Sequence, residues 1–264
     1  MIELERDERQ IVRELCSMSK EVIPSAVAKG RIGKVWVPER DNPSFCLIHS
    51  GNFVYLAGIC PKGEQALELR ELLIKNCSKG FITPSDERWS EWLEETFGGS
   101  CRIMSRYAMR TDEDLFSKET LNNYLNSIPE GIQITKMNEG LFEKAMSSEW
   151  SREICSDFET QKDFIHHGFG FAALDGERLV SGCSAYPISE EKIVVKVATQ
   201  KEYKRRGLAL ACSAGLILSC LKQEIFPTWD ADNIPAAGLA EKLGYIFEKE
   251  YQVYRLGNLE NGLY

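Results

Sequence analysis

Apolar residues along this chain recur at two spacings, and the switches between them mark out its elements. Ile11, Val12, Leu15 and Met18 lie at helical spacing, so the run towards Gly30 predicts an amphipathic helix. Short β-rich runs follow at Lys34–Val37, Ser44–His49 and Phe53–Gly58, and Gly51-Asn52 between the last two suits a hairpin turn. Glu64–Asn76 carries Leu67, Leu69, Leu72, Leu73 and Ile74 and ends close to Gly80, which predicts a helix. After a short strand at Phe81–Thr83, Ser85 is placed to cap a helix bearing Trp89, Trp92, Leu93 and Phe97. Gly98-Gly99 stops that helix, and strand character resumes over Cys101–Met109.

Thr111–Pro129 is polar and broken by a proline, so it reads as a connector between two domains, 1–125 and 126–264. Beyond it the pattern predicts a strand at Gly131–Thr135, helices at Glu139–Met146 and Asp157–His167, and strands at Gly168–Leu174, Leu179–Tyr186 and Lys192–Thr199. A helix at Leu208–Leu221, a strand at Ile225–Asp230, a helix at Asn233–Leu243 and a strand at Tyr245–Tyr254 complete the chain. Each half thus runs three strands, helix, strand, helix, strand. The fold class expected is α/β (α+β), with two domains that are each a mixed sheet flanked by helices.

Composition adds exclusions. A 43% apolar and 27% charged chain of 264 residues is ordinary for a globular protein, and a formal charge of −8 gives no global attraction to nucleic acid or anionic lipid. The first ten residues are too charged for a signal peptide and no apolar run approaches the ~20 residues of a membrane span, which places the protein in the cytoplasm with no membrane partner. Nine scattered cysteines without a Cys-x-x-Cys pair read as reduced thiols, and with only His49, His166 and His167 no metal site is signalled.

The candidate chemistry lies after the strand at Lys192–Thr199. Lys204, Arg205, Arg206 and Gly207 stand just before the helix that begins at Leu208 and Ala209. The first N–H groups of a helix have no internal partner and carry partial positive charge, so cations and a glycine at that point suit a diphosphate. The stretch Tyr203-Lys-Arg-Arg-Gly207-Leu-Ala209 resembles the acyl-CoA pyrophosphate loop of the GNAT superfamily of N-acyltransferases, whose pattern is Arg/Gln-x-x-Gly-x-Gly/Ala after a strand. Ala231-Asp232-Asn233 through Lys242-Leu-Gly244-Tyr245 resembles the superfamily's second cofactor segment. Gly168-Phe-Gly-Phe171, Ser181-Gly182, Val197-Ala-Thr199, Pro227-Thr-Trp-Asp230 and Ala240-Glu-Lys-Leu-Gly244 further resemble the GNAT group named for zwittermicin A resistance.

The resemblance implies a sheet that splays between the strands ending at Thr199 and Asp230, with the pantetheine arm of acetyl-CoA in the gap. Val197, Ala198 and Thr199 would contact the arm, Val197 and Thr199 as if to an added strand. Residues Lys204 to Ala209, Leu208 included, would hold the pyrophosphate, and Asn233 would reach the arm from the other side or simply cap its helix. The first half has Gly58-Ile-Cys-Pro-Lys-Gly-Glu-Gln65 at the matching place, so it reads as a degenerate copy without a cofactor site. The activity implied is N-acetyl transfer to a primary amine of a small molecule, such as an amine-bearing antibiotic or metabolite. Many members carry a Glu on the strand before the loop and a Tyr in the Asn-initiated helix; here Val194, Val195 and Lys196 fill the first place and Ala240 the second. Candidates from neighbouring strand ends are Asp230 as base and Tyr186 or Tyr254 as acid towards the thiolate. The two missing groups leave a non-catalytic acyl-CoA-binding module as the alternative.

Overall fold

Alternation at period two sorts the strand residues of the first half onto two faces. Val35, Val37, Cys46, Ile48, Tyr55 and Ala57 pack with Val12, Cys16 and Val27, whereas Trp36, Phe45, Leu47, Val54 and Leu56 pack with Leu69, Leu73, Trp89 and Leu93. A computed structural model describes residues 1–17, 22–30, 32–77, 80–110, 112–158, 160–188 and 191–257. In chain order the elements are β1 (Ile2–Glu3), α1 (Arg13–Ser17), α2 (Val22–Ala28), β2 (Lys34–Val37), β3 (Phe45–Ser50), β4 (Phe53–Gly58), α3 (Gly63–Cys77), β5 (Phe81–Pro84), α4 (Glu87–Phe97) and β6 (Cys101–Arg110). There follow α5 (Lys118–Asn126), β7 (Ile132–Lys136), α6 (Glu139–Ser147), α7 (Glu149–Cys155), α8 (Gln161–His167), β8 (Phe169–Asp175), β9 (Arg178–Pro187), β10 (Lys192–Thr199), α9 (Leu208–Lys222), β11 (Phe226–Ala231), α10 (Ile234–Leu243) and β12 (Ile246–Leu256).

The compact units are Met1–Ser105 with Gln252–Tyr264, and Arg106–Tyr251. These differ from the expected ranges 1–125 and 126–264 because the last strand of each half completes the other unit's sheet. Strand order in the first unit is β1-β2-β3-β4-β5-β12, with Tyr254 of β12 opposite Ile82; in the second it is β6-β11-β10-β9-β8-β7, with Ala108 of β6 opposite Asp230. The expected hairpin at Gly51-Asn52 is present, with Ser50 facing Phe53.

Four other expectations change. The single helix towards Gly30 is a 3-10 turn at Arg9–Val12 followed by the short helices α1 and α2, and Met18 lies outside the described residues. Asp86, not Ser85, caps α4, accepting the Trp89 N–H at 3.3 Å. The expected connector contains α5, capped by Ser117 and burying Leu121 beside Phe116 in the second unit's core; a two-turn helix needs so few apolar positions that its polar face dominates the sequence. The helix expected over Asp157–His167 begins only at Gln161, after the cap Thr160, while α7 before it was not foreseen. Asp157 therefore sits in the junction between two helices.

Candidate active site

The parallel pair β10 and β11 is in register only at its start. Lys192, Ile193 and Val194 face Phe226, Pro227 and Thr228, and no partner on β11 follows for Val195 to Thr199. On its other edge β10 stays paired with β9 as far as Thr199 opposite Ser181, and β11 turns its free length to β6 from Trp229 on. Each strand is held by its outer neighbour while the inner edges part, so the sheet opens beyond Val194 and Thr228.

Backbone direction decides what the opening presents. The carbonyl of Lys192 accepts the Ile188 N–H, that of Ala198 accepts the Ser181 hydroxyl, and the Gln200 N–H goes to Val180, all towards β9. Thr228 Oγ1 donates to the Ile193 carbonyl from the opposite side at 2.8 Å. Strand backbone alternates, so the peptide groups of Val195, Val197 and Thr199 face the opening, and those of Ala198 face away. Val197 and Thr199 thus present peptide groups along the edge of a parted sheet, where an amide-bearing chain could pair with them. Ala198 offers it only a side chain.

The loop at the end of β10 leads straight into α9. Arg205 (φ 66°) and Gly207 (φ 81°) both take left-handed backbone, which turns the chain sharply enough for Gly207 to stand at the N-cap. No side chain caps α9 and its first turn has no acid, so its leading N–H groups and positive end are uncovered; Lys204, Arg205 and Arg206 are exposed around them. Tyr203 anchors the loop, its hydroxyl donating to Asp175 at 2.6 Å and its ring lying 4.9 Å from the Arg206 guanidinium. That hydrogen bond, first, raises the Tyr203 pKa. Leu208 is buried, a core residue that pins the helix start. Asn233 caps α10, accepting the Ala236 N–H at 2.9 Å, and its amide donates to Asp232.

Among the described residues, the first unit shows no such opening. There β4 and β5 stay in register from Phe53 opposite Phe81 to Leu56 opposite Pro84, and the Ser85 N–H still reaches the Leu56 carbonyl at 2.9 Å. The Gly58 carbonyl at the end of β4 takes the indole N–H of Trp89 at 3.0 Å. A tryptophan from the core thus satisfies the group that an arm would need.

The candidate acid and base residues separate. Asp230 follows Thr228 by two and shares its face, opposite α9; Lys196 follows Val194 by two and shares the same face across the opening. Arg106 Nε lies 3.3 and 3.4 Å from the two Asp230 carboxylate oxygens, its Nη2 donates to the Asp230 carbonyl at 3.1 Å, and the Tyr251 hydroxyl donates to Oδ2. Burial raises the Asp230 pKa, against the lowering pull of Arg106 and of the Tyr251 hydrogen bond. Lys196 pairs with Asp157 at 3.3 Å, both side chains nearly buried at 11% and 9% exposed, so its charge is balanced. Tyr186 lies opposite Val194 at the closed end and packs edge-on against Phe158, centroids 5.0 Å apart. Tyr254 is not with them: it is 1% exposed in the first unit's core, its hydroxyl donating to Glu94 at 2.8 Å. Sequence reasoning missed Arg106, Tyr251 and Asp157. An arginine among alternating residues of a predicted strand is the one signal that could have marked Arg106.

A sheet parted between two parallel strands, with a basic loop and an uncapped helix at the end of one of them, is the frame of an acyltransferase that holds its thioester by the backbone. The chain belongs to the GNAT acetyltransferase family, whose model matches residues 13–254, and it is an N-acetyltransferase. It is similar to an uncharacterized N-acetyltransferase, YdfB, of Bacillus subtilis (strain 168), 27% identical over 188 residues, 70% of this chain and 69% of that protein. The crystal structure of a GCN5-related N-acetyltransferase-like protein from Streptococcus suis 89/1591 matches with a TM-score of 0.84 at 30% identity, covering 95% of this chain and 98% of that one. A tandem GNAT protein from the clavulanic acid biosynthesis pathway, TM-score 0.58 at 11% identity over 97% of each chain, shares the fold. Among the described residues, no helix is long and apolar enough to cross a membrane, and no cluster of His, Cys, Asp or Glu could hold a metal ion.

Proposed function

We propose that the second unit binds one acetyl-CoA in the opening between β10 and β11 and transfers its acetyl group to a primary amine of a small molecule, an amine-bearing antibiotic or metabolite being the kind of acceptor in view. The single observation that carries this reading is the row of peptide groups at Val195, Val197 and Thr199 left facing the opening, beside the uncovered start of α9. Acetyl-CoA supplies the thioester. Lys204 to Ala209 hold the pyrophosphate, and Val197 and Thr199 hold the arm. Roughly 16 Å of extended strand separates Thr199 from Val194, so the reacting end comes to lie near Val194, Lys196, Tyr186 and Asp230. Asn233 lends the arm its exposed side chain while capping α10. The resemblance of the short motifs to those of the zwittermicin A resistance group favours an acceptor of that kind.

The amine must lose a proton. Supplying it neutral from a pKa of ~10.4 at pH 7 costs about 4–5 kcal/mol, which a nearby base offsets. In this reading Asp230 takes that proton, its basicity raised by burial, with Arg106 and Tyr251 fixing its orientation. Tyr186, at the closed end, returns a proton to the departing thiolate. Two measurements test the reading. Calorimetry should give one CoA per chain, with Arg206→Ala weakening it by about 10- to 100-fold, the range of a charge-assisted contact. Thiol release from acetyl-CoA over a panel of polyamines, aminoglycosides and amino acids should find an acceptor; tight CoA binding with no turnover on any of them would leave a binding module instead.

A further inference from the structure

The face of the second unit's sheet that carries α9 has a cavity of about 500 Å³ at the closed end of β10, within the ~300–1,000 Å³ of small-molecule sites. Ile193 in its lining is six residues, roughly 20 Å of strand, before Thr199, so the cavity lies far from the basic loop. The sequence of α9 opens it. At Gly215 the helix lies so close to β8 that an added Cβ would stand 3.0 Å from the Phe171 ring. The same stripe of the helix continues as Ser219 and Gln223, which line the cavity where apolar side chains would have filled it. Its floor is Phe169, Phe171 and Ile193, the two phenylalanines half-buried against the core. Its rim is Lys136, directly across from Phe171 on β7, with His166 and His167 at the end of α8.

Charge decides what fits. Lys136 is exposed and has no ion-pair partner among the described residues, and no Asp or Glu lines the cavity. Asp163, on α8, is outside the lining, and its carboxylate lies 2.9 Å from His167 Nδ1. Two helices end here, and the free carbonyls of a helix end repel an anion. Those of Lys162 and Phe164 on α8 are taken by His166 Nδ1 and the Gly168 N–H, and those of Ser219 and Cys220 on α9 by Gln223 Nε2 and by the Gln223 and Ile225 N–H groups. A cation over an aromatic floor, with these carbonyls covered, suits an anion joined to a ring. We infer that this cavity is a second ligand site that takes an aromatic carboxylate, its ring on Phe169 and Phe171 and its carboxylate at Lys136. The site is on the opposite face of the sheet from Lys196 and Asp230, so it does not depend on where acetyl-CoA or the amine is placed.

Calorimetry with three probes tests the site: 1-naphthylacetate and 1-naphthylacetamide share the rings and differ in charge, and acetate has the charge alone. One 1-naphthylacetate should bind per chain, at least about tenfold more tightly than either of the others. Lys136 is exposed, so Lys136→Met keeps the fold; it should bring the acid down by about 10- to 100-fold, to the affinity of the amide, and leave the amide unchanged. Ser219→Leu should fill the cavity and abolish binding of both. Location is read independently by NMR. The chain has three histidines, and saturating 1-naphthylacetate should shift the ring C–H signals of His166 and His167 while those of His49, on β3 of the first unit, stay in place. No saturable binding of the acid at millimolar concentration, acid and amide bound alike, an affinity unchanged in both variants, or a shift confined to His49 would overturn the inference.

Discussion

Asp230→Asn separates chemistry from architecture at this site. The substitution keeps the size of the side chain and lets it still accept from Tyr251 or Arg106, but removes the charge opposite a guanidinium that is 6% exposed. Stripping a buried ion of its partner costs about 3–5 kcal/mol; with the hydrogen bonds kept, the loss should be at or below about 3 kcal/mol. At roughly 2–4 °C per kcal/mol for a chain of this size, that is a fall in Tm of up to about 12 °C. The rate should fall by about 10²- to 10⁴-fold if Asp230 takes the proton, while CoA affinity stays that of the wild type. The pH dependence sharpens the test. Burial raises the pKa of Asp230 above that of the unfolded chain, so the folded state binds the extra proton, and the stability linked to it is present at low pH and lost as pH rises from the unfolded value through the folded one. The Asn variant should lose that slope, and its turnover should partly recover at high pH, where more amine is already neutral. Single-turnover thiol release and thermal melts from pH 4 to 9 measure both. A turnover within threefold of wild type, in a variant that has lost stability, would refute the base and leave Asp230 as the anchor of Arg106.

The other expectations are more local. Gly207→Ala places a Cβ at φ 81° in ordinary contact with the Ser127 carbonyl oxygen, 3.9 Å away, so strain and not collision should cost about 1–2 kcal/mol, visible as lower stability together with weaker CoA binding. Trp89→Phe leaves the Gly58 carbonyl without its donor in the first unit's core and should cost about 1–3 kcal/mol in denaturant titration, with the stoichiometry of CoA still one per chain. Burial raises the thiol pKa of Cys155, Cys212 and Cys220 to about 12 and that of Cys101 to about 11, so these four thiols should react slowly with an aromatic disulfide in native protein at pH 8, whereas all nine cysteines of the chain should react after denaturation.

The parts of the site that rest on local backbone were legible in the residues. The valines of β10, the glycine at a left-handed position and the Asn cap of α10 each follow from what a single residue type does to its own stretch of chain, and the loop and both flanking elements fall where the pattern places them. The direction of the Ala198 backbone was one step further, because it depends on which edge of β10 pairs with β9. The polar run 111–129 misled for a physical reason: α5 buries one side chain, Leu121, fully, and a helix with so narrow an apolar stripe reads as loop.

What could not be read was the partner of each charged group, since pairing across a sheet is set by topology. Arg106 is separated from Asp230 by 124 residues and reaches it only because β6 leaves the first half to run beside β11. The same exchange sends the end of β12 to the first unit, which is why Tyr254 ends in a core with Glu94 while Tyr251, three residues earlier, stays with Asp230. Three residues of strand reverse the face as well as carrying the chain on by about 10 Å, so two tyrosines that look interchangeable in the sequence take unrelated roles. On the proposal that Asp230 takes the proton, the cation that orients it comes from the first half of the chain, so a change in β6 that moves Arg106 would lower the rate as well as the stability.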